Sequence, residues 1–324
     1  MILASDIGGT KTNLGYFEVR ESQLVSVVEA TYGSTDYPGL EEIVVDFLGK
    51  HRVRPQRVCI GVAGPVKDGH CEGVNLPWVV DAKTLSARIG VSDVDVVNDL
   101  EATAYSLNAL SPEDIVPLHA VAGELQGNAA VIAAGTGLGE AGLYWDGKHH
   151  WPFAGEGGHT DFGVRDAVEA DLLEFLLQKY EHVSIERVLS GPGFVDLYDF
   201  FRHREPDAVR ETIDVQHEDA AALISQAALD QRCPVCEKTL DRFVSIYGAE
   251  AGNLALTVLA TGGVYVGGGI APKIIEKLTQ PAFLEAFFAK GRMRSFMQSI
   301  PVSVIMTNRA ALIGAAEYAR LQAC

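Results

Sequence analysis

Residues 2–19, ILASDIGGTKTNLGYFEV, hold two apolar runs separated by a polar, glycine-dense stretch. That pattern predicts two strands joined by a tight turn. The same shape returns at 131–147, VIAAGTGLGEAGLYWDG. Leu40, Val44, Phe47 and Leu48 fall at helical spacing and predict a helix over 40–51. RVCIGVAGPV, residues 57–66, reads as a buried strand entering a Gly-Pro turn. DVDVVND, residues 93–99, reads as a strand that runs straight into LEATAYSL, where Leu100, Ala104 and Leu107 share a helical face. SPEDIVPL, residues 111–118, with Pro112 and Pro117, reads as a crossover between domains. GEGGHTDF, residues 155–162, is polar and carries neither period. Val168, Leu172, Phe175 and Leu176 mark an amphipathic helix, and 202–218, RHREPDAVRETIDVQHE, is polar and expected to be exposed. Residues 249–278 predict a buried helix, a strand, three glycines and a helix with Pro272 near its start. PVSVIMTN is a late strand, and RAALIGAAEYARL a closing helix.

The order is β-rich then α, twice, with a hairpin opening each half. It predicts an α/β chain of two domains that repeat one unit. The expected boundaries are 1–110 with 302–324 for a smaller domain and 111–301 for a larger one, the closing helix packing back on the first. A length of 324 residues suffices for two cores, and 48% hydrophobic against 21% charged content is ordinary for a globular protein. The formal net charge of -17 argues against nucleic acid and anionic membranes as partners, since both attract basic patches. It leaves small anions open, because a few backbone amides bind a phosphate locally. Five cysteines, Cys59, Cys71, Cys233, Cys236 and Cys324, are odd in number and scattered, which suits a reducing compartment. MILA is too short for a signal peptide, and no stretch approaches a membrane span, so a cytoplasmic protein is expected.

Neither glycine turn is a P-loop, which needs its GK[ST] to open a helix, and neither is a dinucleotide fingerprint, because strand rather than helix follows GTGLG. Ordinary hairpin turns use glycine for the same backbone freedom. Here each turn also carries a threonine, Thr10 and Thr136, beside bare amides, and such a turn can wrap a phosphate oxygen. Asp6, at the end of the first strand, can hold Mg²⁺ through water. Two hairpins could together clamp a polyphosphate.

SDIGGTKT, GTGLG and GGVYVGGG together resemble the phosphate and adenosine motifs of the actin/hexokinase-type kinases. NDLEATAYSL, AAGTGLG, GEGGHTDF, ERVLSGPG and GGVYVGGGIAP, in that order over nearly the whole chain, resemble the proteobacterial type of bacterial glucokinase. The resemblance implies two domains of duplicated ribonuclease-H-like architecture with a ligand cleft between them, which sugar binding would close. It implies ATP and Mg²⁺, transfer of the γ-phosphate to O6 of D-glucose, and a homodimer. The expected nucleotide contacts are Asp6, Gly8, Gly9, Thr10, Lys11 and Thr12, then Gly135, Thr136 and Gly137, then Gly267, Gly268 and Gly269. Lys11 departs from the pattern: enterobacterial members carry Asn there, and a lysine is closer to the broader repressor, open-reading-frame and kinase group of sugar kinases.

Asp99 sits where a strand ends and a helix begins, the usual place for ligands in α/β domains. On local sequence Asn98 or Asp99 is equally a helix cap. The resemblance makes this pair sugar-binding, with Asp99 the base that takes the O6 proton. It likewise assigns Glu156, His159 and Glu186 to the hexose hydroxyls, with Asn75 a further candidate; the plain alternatives are a solvated loop, a surface charge or a cap. His159 with Cys233 and Cys236 does not make a zinc set, since two cysteines fall short of four ligands and two free thiols at a helix edge are expected. A sister kinase for fructose, mannose or an amino sugar would share these motifs. A sugar sensor usually carries an N-terminal helix-turn-helix, for which a hairpin starting at residue 2 leaves no room, and would be expected to lose Asp99.

Overall fold

The computed structural model describes residues 1–72, 76, 78–123, 126–153, 155–206 and 213–323. Its strands are β1 (Ile2–Ile7), β2 (Lys11–Arg20), β3 (Gln23–Gly33), β4 (Arg57–Val62), β5 (His70–Glu72), β6 (Val79–Asp81), β7 (Asp93–Asn98), β8 (Ile115–His119), β9 (Ala129–Ala134), β10 (Leu138–Trp145), β11 (His150–Phe153), β12 (Gly263–Gly267) and β13 (Val302–Ile305). Its helices are α1 (Leu40–His51), α2 (Ala82–Ile89), α3 (Asp99–Tyr105), α4 (Ala167–Leu177), α5 (Gly191–Arg204), α6 (Ala220–Leu229), α7 (Pro234–Val258), α8 (Ile275–Leu278), α9 (Pro281–Phe288), α10 (Arg294–Met297) and α11 (Ala310–Leu321). The chain divides into two compact units, Met1–Asp114 with Lys148–Phe153 and Thr307–Cys324, and Ile115–Gly147 with Ala154–Met306.

In the first unit the strands run β3-β2-β1-β4-β7. β1 pairs with β2 antiparallel and with β4 parallel, and β4 pairs with β7 parallel. β4 reads RVCIGV and is buried from Val58 onward, as a central parallel strand must be. α1 spans the residues its apolar spacing predicts and buries Leu40, Ile43, Val44 and Phe47. It opens with Glu41 and Glu42 and closes with Lys50 and His51, each complementing the helix dipole. α11 lays Leu312, Ala315, Ala316 and Ala319 into a core with Ile2, Ala4, Cys59, Val97 and Ala102.

The second unit repeats that plan: β9 pairs with β10 antiparallel and with β12 parallel, and β12 pairs with β13 parallel. Helix α7 supplies the largest buried face of this unit, including Phe243, Tyr247, Ala251 and Ala255.

Three expectations are corrected. Residues 115–119 form a strand rather than a bare crossover. β8 pairs antiparallel with β13 and is an edge strand of its sheet, where Pro117 is tolerated. Residues 302–306 therefore belong to the second unit, because β13 pairs with β12 and β8. Residues 148–153 belong to the first, where the Asn108 side chain donates to His150 O and accepts from His150 N, both at 3.0 Å. Cys233 and Cys236 are paired as a disulfide, not two free thiols. Cys233 caps α7, so the C-x-x-C spacing sets both sulfurs on one turn, with Cα atoms 5.2 Å apart. Cys59 and Cys71 are free and buried.

Candidate functional site

In the first unit the site is built on the β1–β2 turn and the β7–α3 junction. Gly8 N donates to Lys11 O at 2.9 Å and closes the turn. Ser34 braces it from behind: its hydroxyl donates to Gly8 O at 2.9 Å, and its amide donates to Thr10 O at 3.0 Å. Thr12 is fully buried, with its hydroxyl 3.0 Å from that of Ser34, so it supports the turn from within. Gly9 is half-buried, and Thr10 and Lys11 are exposed at the tip. Asp6 is half-buried beside the turn and accepts from Asn13 Nδ2 at 3.3 Å. Burial pushes its carboxyl up to about 6, against the lowering bond from Asn13, and the negative charge of Asp99 adds to the rise.

Asn98 is the N-cap of α3. Its Oδ1 accepts from Leu100 N at 2.9 Å and from Glu101 N at 3.4 Å, and its Nδ2 donates to Gly64 O at 2.9 Å. The capping reading of Asn98 is thus what the structure shows, and its amide fixes the helix start that carries Asp99. Asp99 Oδ1 accepts from Leu100 N at 2.9 Å. Burial raises its carboxyl above the ordinary range, with that bond opposing the rise. Both carboxyls are thus raised chiefly by burial, and the Asp99 charge adds to the rise at Asp6 beside the first glycine turn.

In the second unit four segments meet at the β9–β10 turn. Gly135 N donates to Gly137 O at 2.8 Å, and Gly191 N donates to Gly135 O at 2.8 Å. Leu138 N donates to Glu186 Oε2 at 2.9 Å. Glu186 packs closely on Gly137, where a Cβ would lie 2.5 Å from that same Oε2 and displace the carboxylate. The remaining Glu186 oxygen stands 3.9 Å from His159 Nδ1, and His159 Nε2 stands 3.7 Å from Glu156 Oε2. Glu156 and His159 present largely exposed side chains on a 3₁₀ turn, whereas Glu186 is mostly covered. The three hexose-ligand expectations of this unit therefore form one cluster. Gly268, at φ 82°, seats the β12 turn against β9, where any Cβ would come within 2.3 Å of Ala134 O.

A cavity of about 870 Å³ opens beside this turn. Gly135, Thr136, Gly191, Pro192, Gly269 and Lys273 are among its lining residues, so the predicted phosphate turn and the predicted adenosine turn share one space. Gly267 lies deeper, buried, its carbonyl accepting from Tyr247 OH at 3.3 Å.

Several contributors escaped the sequence reading. α5 begins at the cavity with Gly191 and Pro192, capped by Ser190, whose hydroxyl accepts from Gly193 N at 3.1 Å. The N-terminus of this 14-residue helix offers amides and a positive dipole end to an anion. The tetrad S-G-P-G is an N-cap with Pro in the first turn, so the signal was present. Tyr247, which holds Ala134 N at 3.1 Å, and Asp196, which takes bonds from Lys179 and Tyr180, left none. Asn75 lies outside the described residues.

Two repeats of hairpin-then-parallel sheet, each with a glycine turn, and a carboxyl where β7 meets α3 fit a sugar kinase of the actin/hexokinase ATPase fold. The comparisons agree. The family model Glucokinase matches residues 3–322. The chain is similar to the glucokinase of Nostoc punctiforme, 39% identical over 98% of each chain. It is similar to that of Photorhabdus laumondii, 34% identical over 99% of this chain and 97% of the other. Among solved structures it resembles a glucokinase from an Antarctic psychrotroph, with TM-score 0.88, 32% identity, and 99% of this chain and 98% of that one covered. The chain belongs to the glucokinase family and is an ATP-dependent sugar kinase.

Proposed function

We propose that this enzyme transfers the γ-phosphate of ATP to O6 of D-glucose, with Asp99 as the general base. The observation that carries the reading is the raised, half-buried Asp99 carboxyl, set on a capped helix beside Asp6 and the first glycine turn. A carboxyl whose affinity for protons is increased is a better acceptor for an alcohol proton, provided it is still ionised at working pH. Asn98 orients that carboxyl by capping α3. In the second unit, Glu156, His159 and Glu186 offer acceptors and a two-way imidazole suited to a ring of hydroxyls. The β9–β10 turn, Gly268, Gly269 and the start of α5 hold the nucleotide, and backbone amides neutralise phosphate charge without a basic surface.

Mg²⁺ fits this plan. Among the described residues no three His, Cys, Asp or Glu side chains group as a metal cage. Magnesium on a nucleotide needs none, since phosphates and waters supply most of its ligands and one or two carboxylates complete the set. Asp6 is the residue that would hold it, through water, and the ion would supply charge neutralisation between the phosphates. The half-buried Asp6 carboxyl, flanked by the exposed turn tip and the Asp99 charge, is a setting that a cation would relieve. Among the described residues no helix is long and apolar enough to cross a membrane. We read the protein as a cytoplasmic homodimer, checked by light scattering of the purified chain.

The experiment is ATP turnover with glucose, mannose and fructose, coupled to detection of the sugar 6-phosphate. Glucose should have the highest kcat/KM; a preference for another hexose would replace glucose with that sugar, and no turnover with any would favour a sensor. The pH profile follows from the same carboxyls. Both must be ionised to work, and both have raised affinity for protons, Asp6 being pushed up to about 6 by burial, so kcat/KM should fall on the acid side as these carboxyls take up protons. A profile flat to pH 5 would remove these carboxyls from the chemistry. Glu156→Gln keeps the shape and removes the charge, and should raise the glucose KM by about 10-fold or more, the loss of a charged hydrogen bond. An unchanged KM would take Glu156 out of the sugar shell.

A further inference from the structure

One buried acid in the second unit takes no part in the reading above. Glu140 lies on β10, two residues beyond the amide that Glu186 holds, and is 6% exposed. Its Oε1 is buried with no hydrogen-bond partner. Its Oε2 packs under the sugar turn, where a Cβ on Gly157 would come within 2.1 Å of it. Its backbone carbonyl sits under Gly155, at 3.4 Å from where a Cβ would be. Glu140 therefore lies directly beneath Gly155 and Gly157, and the 155–159 turn rests on it.

The surroundings disfavour a charge there. β9 beside it reads AAVIAA and brings no ionisable side chain. From α7, Glu250 faces it with a like charge and Tyr247 faces it with a phenol bonded elsewhere. Lys290, the cation near Glu250, is held by Ala249 O and Asn253 Oδ1. From the turn above come Glu156 and His159, which lie near one another and, through His159, near Glu186. Among the described residues Glu140 has no ion pair. A buried carboxylate with an unbonded oxygen and a carboxylate neighbour costs several kcal/mol, which is avoided when it keeps its proton.

We propose that Glu140 is a positioning residue for hexose binding: its neutral carboxyl supports the 155–159 turn, and loss of its proton in mildly alkaline solution loosens that turn and weakens the sugar site. Burial first, and the Glu250 charge second, push this carboxyl up to about 8. The inference rests on the reading of Glu156 and His159 as sugar ligands. Its consequence is the opposite limb of the pH profile. Below the transition the carboxyl is neutral and the turn is held; above it the carboxyl is charged and the turn is released.

The test is the glucose KM from pH 6.5 to 9.5, measured with kcat, for the parent and for Glu140→Gln. With a transition near 8, the parent KM should rise about 10-fold between pH 7 and pH 9, while kcat changes less than about twofold. Glu140→Gln imitates the neutral form and should keep the low KM throughout. Glu250→Gln removes the repelling charge, so the transition in KM should move to lower pH, which ties it to the Glu140 carboxyl and not to another titrating group. Amide hydrogen exchange at 155–160, compared between parent and Glu140→Gln at the same pH, supplies a readout that needs no turnover. Protection should match at pH 7 and be lost in the parent alone at pH 9. Parallel KM profiles for parent and Glu140→Gln, or equal exchange at pH 9, overturn the proposal even with glucose kinase activity intact. Absence of glucose turnover counts against the proposed substrate, and the exchange comparison then still decides the role of Glu140. Should Glu140→Gln fail to fold, the parent and Glu250→Gln profiles carry the same decision: no transition, or one that does not move, overturns it.

Discussion

Replacing Asp99 with Asn should lower kcat by about 10²- to 10⁴-fold and leave glucose affinity within a few-fold. The amide keeps the shape of the carboxyl and can still accept from Leu100 N, so the start of α3 is preserved. It also removes the Asp99 charge that opposes ionisation of Asp6, so thermal stability should hold or rise slightly. What it cannot do is take a proton from O6. The remaining rate comes from alignment and from charge neutralisation around the phosphates. Single-turnover kinetics with a separate binding measurement make the check. Weakened binding with intact turnover per bound sugar would reassign Asp99 to the sugar shell alone.

Gly314→Ala should destabilise the first unit by about 3 kcal/mol or more, seen as a melting temperature about 5–10 °C lower, and should depress activity with it. α11 crosses α3 at this glycine. A Cβ there would fall 1.6 Å from Ala102 O, 2.6 Å from Ala102 C and 2.9 Å from Ser106 N, all backbone. No rotamer change relieves a clash with backbone, so one helix must move, and α3 is the helix that carries Asp99. The control is Gly49→Ala in α1, where a Cβ meets nothing within 4 Å. That change should be neutral or stabilising by about 0.5–1 kcal/mol, from helix propensity alone. If both variants melt together with the parent, close packing of α11 on α3 is not what orders the Asp99 segment.

Much of the site was legible because its parts are local. Asn98 and Asp99 were read as a strand end meeting a helix start, and β7 ends at Asn98 where α3 begins. The glycine turns were legible because a strand–turn–strand pattern and its bare amides lie within a dozen residues. Thr12 shows the limit. Its place in a strand was readable, but the side of the strand it faces was set by Ser34, 22 residues away. The disulfide was missed for a related reason. Counting cysteines gives no geometry, whereas a helix start at Pro234 brings Cys233 and Cys236 onto one turn.

The sequence by itself determined the paired strands around the two glycine turns, helices α1, α3 and α11, and the acid that follows β7. Each depends on side-chain periodicity or on backbone freedom over a few residues, and those are properties of short segments. The tertiary structure decided which distant groups share a space. It set Glu186 on an amide 48 residues away, brought Tyr247 under the end of β9 from 113 residues away, and put the start of α5 at the cavity beside the β9–β10 turn. It also buried Glu140 beneath Gly157. Such contacts arise only when sheets and helices pack, because burial and the neighbours of a charge belong to the folded chain and not to any stretch of it.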